Sequence, residues 1–363
     1  MASSLGRRIV NGEILRADVL RPSALGAVEL ARWQQMQARW PVLQRAFLAP
    51  QFALACEQAN GRACVAVLHH GGAVRGFLAF QFRSAWHQRL RIAERIGGEL
   101  CDAAGLVTIP ELRITGQQLL RAARLSLFQI RDLVSGQEQL GLDAEWSQSG
   151  YVTDLSGGPD AYFAALSARD RPLVRDTERS IRKATKQYGE PAYRATDSIQ
   201  PKMITGLLGS KRAQYARTGV PDPFTRIANR RLLEALRANP HEDCRLILSR
   251  LEAGGRTLAQ HLGLRYQGVM SYWFPVYDPA VRSVSPGRLL LWKIIECSGQ
   301  EGTRMIDYGE GNAAYKREFA TGSVRYGRAT WYEGGIHSGF ARIVQGLEWR
   351  LRARSHRWQP RRA

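Results

Sequence analysis

Ten consecutive positions carry most of the side chains that could do chemistry. From Asp307 to Lys316 the chain reads DYGEGNAAYK, which sets two carboxylates, two phenols and an ammonium side by side. Carboxylates accept protons, a lysine holds phosphate or developing negative charge, and a phenol can give up a proton. Gly309 and Gly311 let the backbone leave a strand between them. The same letters also fit a plain strand exit followed by a solvated Lys316-Arg317-Glu318 face.

A second feature lies just upstream, in SVSPGRLLLWKIIECSGQEG. Ser285 suits a helix N-cap, Pro286 the first helical position, and Gly287 a close backbone approach. A compact apolar helix follows through Leu289, Leu290, Leu291, Ile294 and Ile295, closed by Gly299 and Gly302. A strand from Met305 to Gly309 comes next. The unpaired amides and positive end of such a helix can hold phosphate, with Arg288 adding an ion pair. An ordinary strand–helix–strand connection would carry the same capping residues, so both readings stand.

The elements that must position these groups come in pairs. CVAVLHHGGAVRGFLAFQF (64–82) reads as two strands around Gly71-Gly72. CRLILSRLEAGGRTLAQHLGLRYQGVMSYWFPVYD (244–278) reads as antiparallel strands around Gly254-Gly255. Placing Cys64 on Cys244 leaves the glycine pairs three positions out of step. Two similar hairpins half a chain apart suggest a duplicated α+β unit. In the second, alternation puts Leu258, Gln260, Leu262 and Leu264 on one face and Ala259, His261 and Gly263 on the other. His261 is thus a candidate base or a structural histidine; Tyr272 and Trp273 are candidate pocket wall or core.

Between the hairpins, a polar helix carries Arg175, Arg179, Arg182, Lys183 and Lys186 on one stripe. Such a stripe can hold a sugar-nucleotide diphosphate, a lipid-linked phosphate or tRNA, or it can be a solvated face. The stretch from Phe340 to Trp358 reads as a basic amphipathic helix that packs on the body or meets an anionic membrane.

Composition narrows the class. The 363 residues are 44% hydrophobic and 23% charged, which excludes a disordered chain and suits two domains. No window reaches the roughly 18 apolar residues of a membrane helix, and the first residues do not read as a signal peptide, so a cytoplasmic protein is expected. The net charge is +20, and only six of the 52 cations are lysines. Guanidinium groups grip phosphate and carboxylate, which favours an anionic partner; a GC-rich coding bias accounts for the same excess. Five cysteines form no CxxC pair and no HExxH occurs, so neither a metal nor a disulfide framework is expected. Cys244 and Cys297 read as buried small hydrophobes.

The string SPGRLLLWKIIECSGQEGTRMIDYGEGNAAYKREFATG resembles the signature of the BioF2-like, CelD/BcsL-type acyltransferases of the GNAT superfamily. In that family a Ser-Pro-Gly opens a helix, an Asp-x-Gly ends the next strand, and a Tyr-Lys follows. Ser285-Pro286-Gly287-Arg288 stands where the superfamily's Q/R-x-x-G-x-G/A coenzyme signature would be. The Trp33 helix with FLAPQF, the hairpin ending at Phe82 and the helix YFAALSARDRPLVRDTERSIRKA agree in order and spacing. The resemblance covers residues 25–335 and is strongest over 244–322.

The resemblance implies an α+β fold of two tandem GNAT-like halves, each a mixed, mainly antiparallel sheet flanked by helices. They are expected over residues 8–150 and 151–335, with a basic tail over 336–363. It implies transfer of an acyl group from acetyl-CoA or another acyl-CoA to an amino sugar or polysaccharide precursor, in exopolysaccharide or cellulose-type biosynthesis, with no metal. Asp307 or Glu310 would then be base or substrate anchor. Lys316 would meet phosphate or oxyanion, Tyr315 would line the acceptor site, and residues 285–288 would hold the coenzyme. Peripheral contact with polysaccharide machinery at the inner membrane face would suit that context. Two alternatives remain: Fem-like aminoacyl transfer from charged tRNA, and a non-catalytic scaffold of polysaccharide assembly.

Overall fold

Thirteen strands of the computed structural model, which describes residues 15–334, join in one sheet. In chain order they are β1 (Arg16–Leu20), β2 (Ala63–His70), β3 (Ala73–Gln81), β4 (Ile92–Arg95), β5 (Val107–Thr108), β6 (Leu127–Val134) and β7 (Glu145–Asp154). After them come β8 (Ala192–Thr196), β9 (Cys244–Ala253), β10 (Arg256–Tyr266), β11 (Val269–Tyr277), β12 (Met305–Glu310) and β13 (Gly322–Tyr332). Across the sheet the order is β1-β2-β3-β4-β6-β13, then β7-β12-β11-β10-β9-β8, with β5 attached to β3.

That order reads alike from either edge. Neighbours along it are antiparallel except for β4 with β6 and β11 with β12, the fourth pairing in from each side. The hairpins expected at Gly71-Gly72 and Gly254-Gly255 occupy equivalent places, β2–β3 and β9–β10. Each half lends a strand to the other: β7 pairs with β12, and β13 pairs with β6. The division read at 150/151 falls inside β7. At the seam Gly150 lies beneath Tyr326, where a Cβ would sit 2.3 Å from the ring, so any larger residue would force β7 and β13 apart.

Two apolar cores follow from the alternation of strand side chains. One takes in the N-terminal half and continues through Leu246, Leu248, Leu262, Leu264 and Trp273; the other gathers Leu258, Met270, Tyr272, Leu290 and Ile306. Strict alternation would put Leu258 with Leu262. A bulge between Thr257 and Ala259 shifts the phase of β10 and sends Leu258 to the other core.

The halves are tied by long-range polar contacts. Asn229, on the helix Ile227–Ala238, donates to Glu99 Oε1 at 2.7 Å, and Asn239 donates to Gln58 Oε1 at 3.1 Å. Trp273 Nε1 donates to the Leu100 carbonyl at 3.0 Å, and its ring meets Phe47 edge-on at 5.3 Å. The helical region after residue 157 is two helices, Gly158–Arg169 and Arg171–Tyr188, because Asp170 caps the second by accepting from the Leu173 N–H at 3.0 Å. The stretch from Phe340 to Trp358 lies outside the described residues. Among the described residues no helix is long and apolar enough to cross a membrane.

Candidate active site

The site begins where two parallel strands part. β11 and β12 pair at Val269/Met305, Met270/Ile306 and Ser271/Asp307, and then separate. β12 turns away through a bulge against β7 between Asp307 and Glu310. Gly309 carries the turn at φ +63°, and its N–H donates to Asp307 Oδ1 at 2.9 Å. β11 runs on through Tyr277 and the turn Pro279–Val284 into the helix Pro286–Glu296. A V-shaped opening is left between the two chains.

A cavity of 340 Å³ lies along β11, between the helix start at Pro286 and Tyr315, which follows β12. Its walls bring Tyr272 and Tyr315 together with Ser285, Pro286, Gly287 and Arg288, and add Arg282 and Gln214. Pro286 is the first helical residue, and the apolar side chains after it are buried, which anchors the helix start at the cavity mouth. Ser285 takes a left-handed conformation, φ 51°, and makes no side-chain cap. The expected N-cap bond is therefore absent, and the first-turn amides keep their unpaired character. A Cβ on Gly287 would lie 3.7 Å from Tyr277 Cδ1, so space rather than packing surrounds this position.

Lys316 and Tyr315 sit on the short helix Ala314–Phe319. Lys316 points inward, its Nζ donating to the Glu310 carbonyl at 2.8 Å. Burial lowers its pKa, against the pull of Asp102, Asp307 and Glu310. Burial, helped by Asp102, pushes the Tyr315 phenol up to about 12. Its ring lies 6.0 Å from that of Tyr272, which stacks in turn on His261 at 4.1 Å.

Several candidates stand elsewhere. Asp307 is buried, with Arg45 Nε 2.6 Å from Oδ2 and the Tyr326 hydroxyl donating to both oxygens at 3.2 and 3.3 Å. A carboxylate so engaged clamps the two halves and is not placed to take a substrate proton. The Glu310 side chain meets Arg328 at 2.5 Å. His261 is fully buried; its Nε2 accepts from the Trp273 N–H at 3.2 Å, and burial pushes its pKa down to about 3. A neutral, enclosed imidazole of that kind is a poor base, and it serves here as a platform for Tyr272. Trp273 points across the seam rather than into the cavity.

Arg175, Arg179, Arg182 and Lys183 are all exposed on one helix. Lys183 Nζ donates to the Ser283 carbonyl at 3.1 Å, which brings that end of the stripe to the cavity mouth. Cys244 is buried and Cys297 partly exposed. Among the described residues no group of three His, Cys, Asp or Glu could hold a metal ion.

Two groups were not singled out from sequence. Arg282 has no local signature beyond its closeness to Ser285. Asp102 had a faint one, a lone acid in the run Leu100-Cys101-Asp102-Ala103-Ala104, whose other members are all buried. It lies against the β12 bulge: a Cβ on Gly309 would be 3.4–3.6 Å from its Cβ, Cγ and Oδ2. Burial pushes its carboxyl up to about 6, with Arg95 and Lys316 opposing and Asp307 and Glu310 adding to the rise.

Residues 173–317, which contain the parting strands and the helix start, match the family model of the acetyltransferase (GNAT) domain. The fold is GNAT-like. FemX matches at 10% identity and a TM-score of 0.56, over 90% of this chain and 99% of that one. The C-terminal domain of a candidate lysylphosphatidylglycerol synthetase from Agrobacterium fabrum matches at 12% and 0.51, over 87% and 95%. A conserved protein of unknown function from Bacteroides thetaiotaomicron matches at 12% and 0.51, over 83% and 97%. At these identities the likeness concerns the GNAT fold alone. Comparison with curated protein sequences finds no match.

Proposed function

We propose that this GNAT-like chain transfers an acyl group from acyl-CoA to an amine, using the C-terminal half. The observation that carries the reading is the cavity along β11. It runs from a helix start flanked by Arg282 and Arg288 to the paired phenols Tyr272 and Tyr315, and among the described residues no acid lines it. Diphosphate would settle on the first-turn amides near Gly287 and on the two guanidinium groups. The thioester would then lie near Tyr315, where Lys316 supplies positive charge for the tetrahedral oxyanion. Tyr315, holding its proton firmly, can pass it to the departing thiolate.

The resemblance to BioF2-like, CelD-type enzymes supports an amino sugar or polysaccharide precursor as the acceptor. Calorimetric titration with acetyl-CoA tests the reading. Binding that Arg282→Ala and Arg288→Ala weaken is expected, and absence of binding by the wild type would contradict it.

Aminoacyl transfer from tRNA is the second reading. It is favoured by the exposed cationic stripe that reaches the cavity mouth through Lys183, and by the fold shared with FemX. Salt-sensitive tRNA binding without acetyl-CoA binding would select it.

A further inference from the structure

The cavity is walled from both faces of the sheet. The helix Pro286–Glu296 buries Leu289 and Leu290 in the core that holds Tyr272. The helix Pro201–Thr218 buries Leu207 and Leu208 in the other core, with Leu262 and Val276. Arg282, Ser285 and Arg288 therefore line the cavity on one side, and Gln214, near the end of the second helix, lines it on the other.

Gln214 is held by Lys211, one turn earlier on the same helix. Lys211 is only 8% exposed. Its Nζ donates to Gln214 Oε1 at 3.1 Å and to the Pro275 carbonyl at 2.7 Å, and stands 5.2 Å from the centre of the Tyr215 ring. An ammonium has no lone pair, so only the oxygen of the carboxamide can face it. Both N–H groups of Nε2 are left over, and among the described residues nothing accepts from them. Pro275, also in the cavity wall, has no N–H, and its carbonyl is taken by Lys211. Gln214 therefore meets whatever enters on this side as a donor only.

Charge points the same way. Burial lowers the Lys211 pKa to about 8, which leaves it a cation at neutral pH, and among the described residues no carboxylate forms an ion pair with it. A buried cation without a counter-ion is costly, and an anion arriving beside it offsets that cost. Arg282 and Arg288 add positive charge to a cavity that no acid lines among the described residues.

We propose that Gln214 is a specificity-determining residue for the acceptor, donating to a carboxylate oxygen, with Lys211 as the positioning residue that orients and polarises its amide. The inference rests on the acyl-CoA reading above and narrows the acceptor to amines that carry a carboxylate, whether an amino acid or an amino sugar acid. In that reading the coenzyme diphosphate takes the helix-start side, which leaves the Gln214 side to the acceptor. An acceptor with a second cation in place of the carboxylate would meet only donors and positive charge there.

The test measures thiol release from acetyl-CoA with two matched pairs of acceptors. One pair is glycine and glycinamide; the other is 2-amino-2-deoxyglucuronic acid and glucosamine. Acetyl-CoA binding by the wild type is measured in parallel by calorimetry. In at least one pair the wild type should favour the carboxylate member about 10-fold or more in kcat/KM, the difference lying mainly in KM. The pair that shows it tells an amino acid from an amino sugar acid. Gln214→Ala and Lys211→Met should each bring that ratio close to one, and Lys211→Arg should restore part of it, which a merely structural lysine would not do. Equal or reversed preference in the wild type, or a Gln214→Ala variant that keeps the wild-type ratio, would overturn the assignment. So would a wild type that binds acetyl-CoA and acetylates none of the four. Failure of the wild type to bind acetyl-CoA would instead remove the underlying reading, and this inference with it.

Discussion

The sheet contains two places where parallel strands part, and only one of them is open. In the C-terminal half a cavity of 340 Å³ lies beside β11, between the helix start at Pro286 and Tyr315 just after β12. In the N-terminal half, β4 and β6 pair through Glu94/Gln129, and residues 101–108 then run into the space between β3 and β6. Ala104 bridges to Leu133, while Val107 and Thr108 pair with Phe77 and Gly76. Trp33 stacks on Phe77 at 5.0 Å, and about 10 Å³ remains, no more than one water would need. One strand order therefore serves two ends. The filled opening is core, and the chain that fills it brings Asp102 to the seam; the unfilled one offers charge, phenols and room.

Making the filled opening resemble the open one should be costly. Trp33 is 1% exposed, and its Nε1 donates to the Leu48 carbonyl at 2.9 Å. Trp33→Ala is expected to lose about 3–5 kcal/mol in urea unfolding without creating a second acetyl-CoA site. A second binding event in calorimetry would show that the halves are more alike than their packing suggests.

Removing charge from the open side should affect binding rather than folding. Arg282→Ala and Arg288→Ala are each expected to weaken acetyl-CoA binding about 10- to 100-fold, with the unfolding midpoint nearly unchanged. Arg288 gives up only a partly exposed contact to Glu318, at 3.2 Å.

A smaller change probes the same wall. Gly287→Ala places a methyl at ordinary contact distance from Tyr277, so stability should hold or rise by up to about 1 kcal/mol, since alanine favours a helix. Acetyl-CoA affinity should nevertheless fall, because that methyl narrows the approach to the first-turn amides. Unchanged affinity would move the diphosphate away from this turn.

A pH-dependent effect concerns Asp102. Its carboxyl titrates near 6 in the fold against an ordinary 3.8, raised first by burial. A folded-state pKa above the unfolded one means that its stabilising contribution is complete below about pH 3.8 and is lost as pH rises through about 6. Asp102→Asn should accordingly melt above wild type at about pH 8, the gap closing toward about pH 4. A gap independent of pH would show that the carboxyl is not destabilised in the fold.

Much of this arrangement could be read locally. The two Gly-Gly hairpins, the helix start at Pro286 and the strand beginning at Met305 all follow from residues near one another in the chain. So does the grouping of Ser285–Arg288 with Tyr315, because the rest of one helix, a single further turn of helix and one short strand separate them. What could not be read depends on distant partners. Asp307 looks like a free acid at a strand exit until Arg45, 262 residues earlier, is seen against it. Trp273 looks like a pocket residue until the Leu100 carbonyl and the Phe47 ring of the other half are seen against it, and His261 until Tyr272 and the Trp273 N–H are seen against its ring. The exchange of β7 and β13 leaves no periodic signal, since either strand would alternate in the same way beside any neighbour. Asp102 was hidden for the same reason: its place is set by a plug whose partners lie on β3, β6 and β11.

Amide hydrogen exchange with and without saturating acetyl-CoA tests the central claim most directly, because it reads both openings in one sample. Slowed exchange is predicted at the amides of Gly287, Arg288 and the outer part of β11, with residues 92–108 unchanged. Protection confined to residues 92–108, or none in either half, would contradict the account.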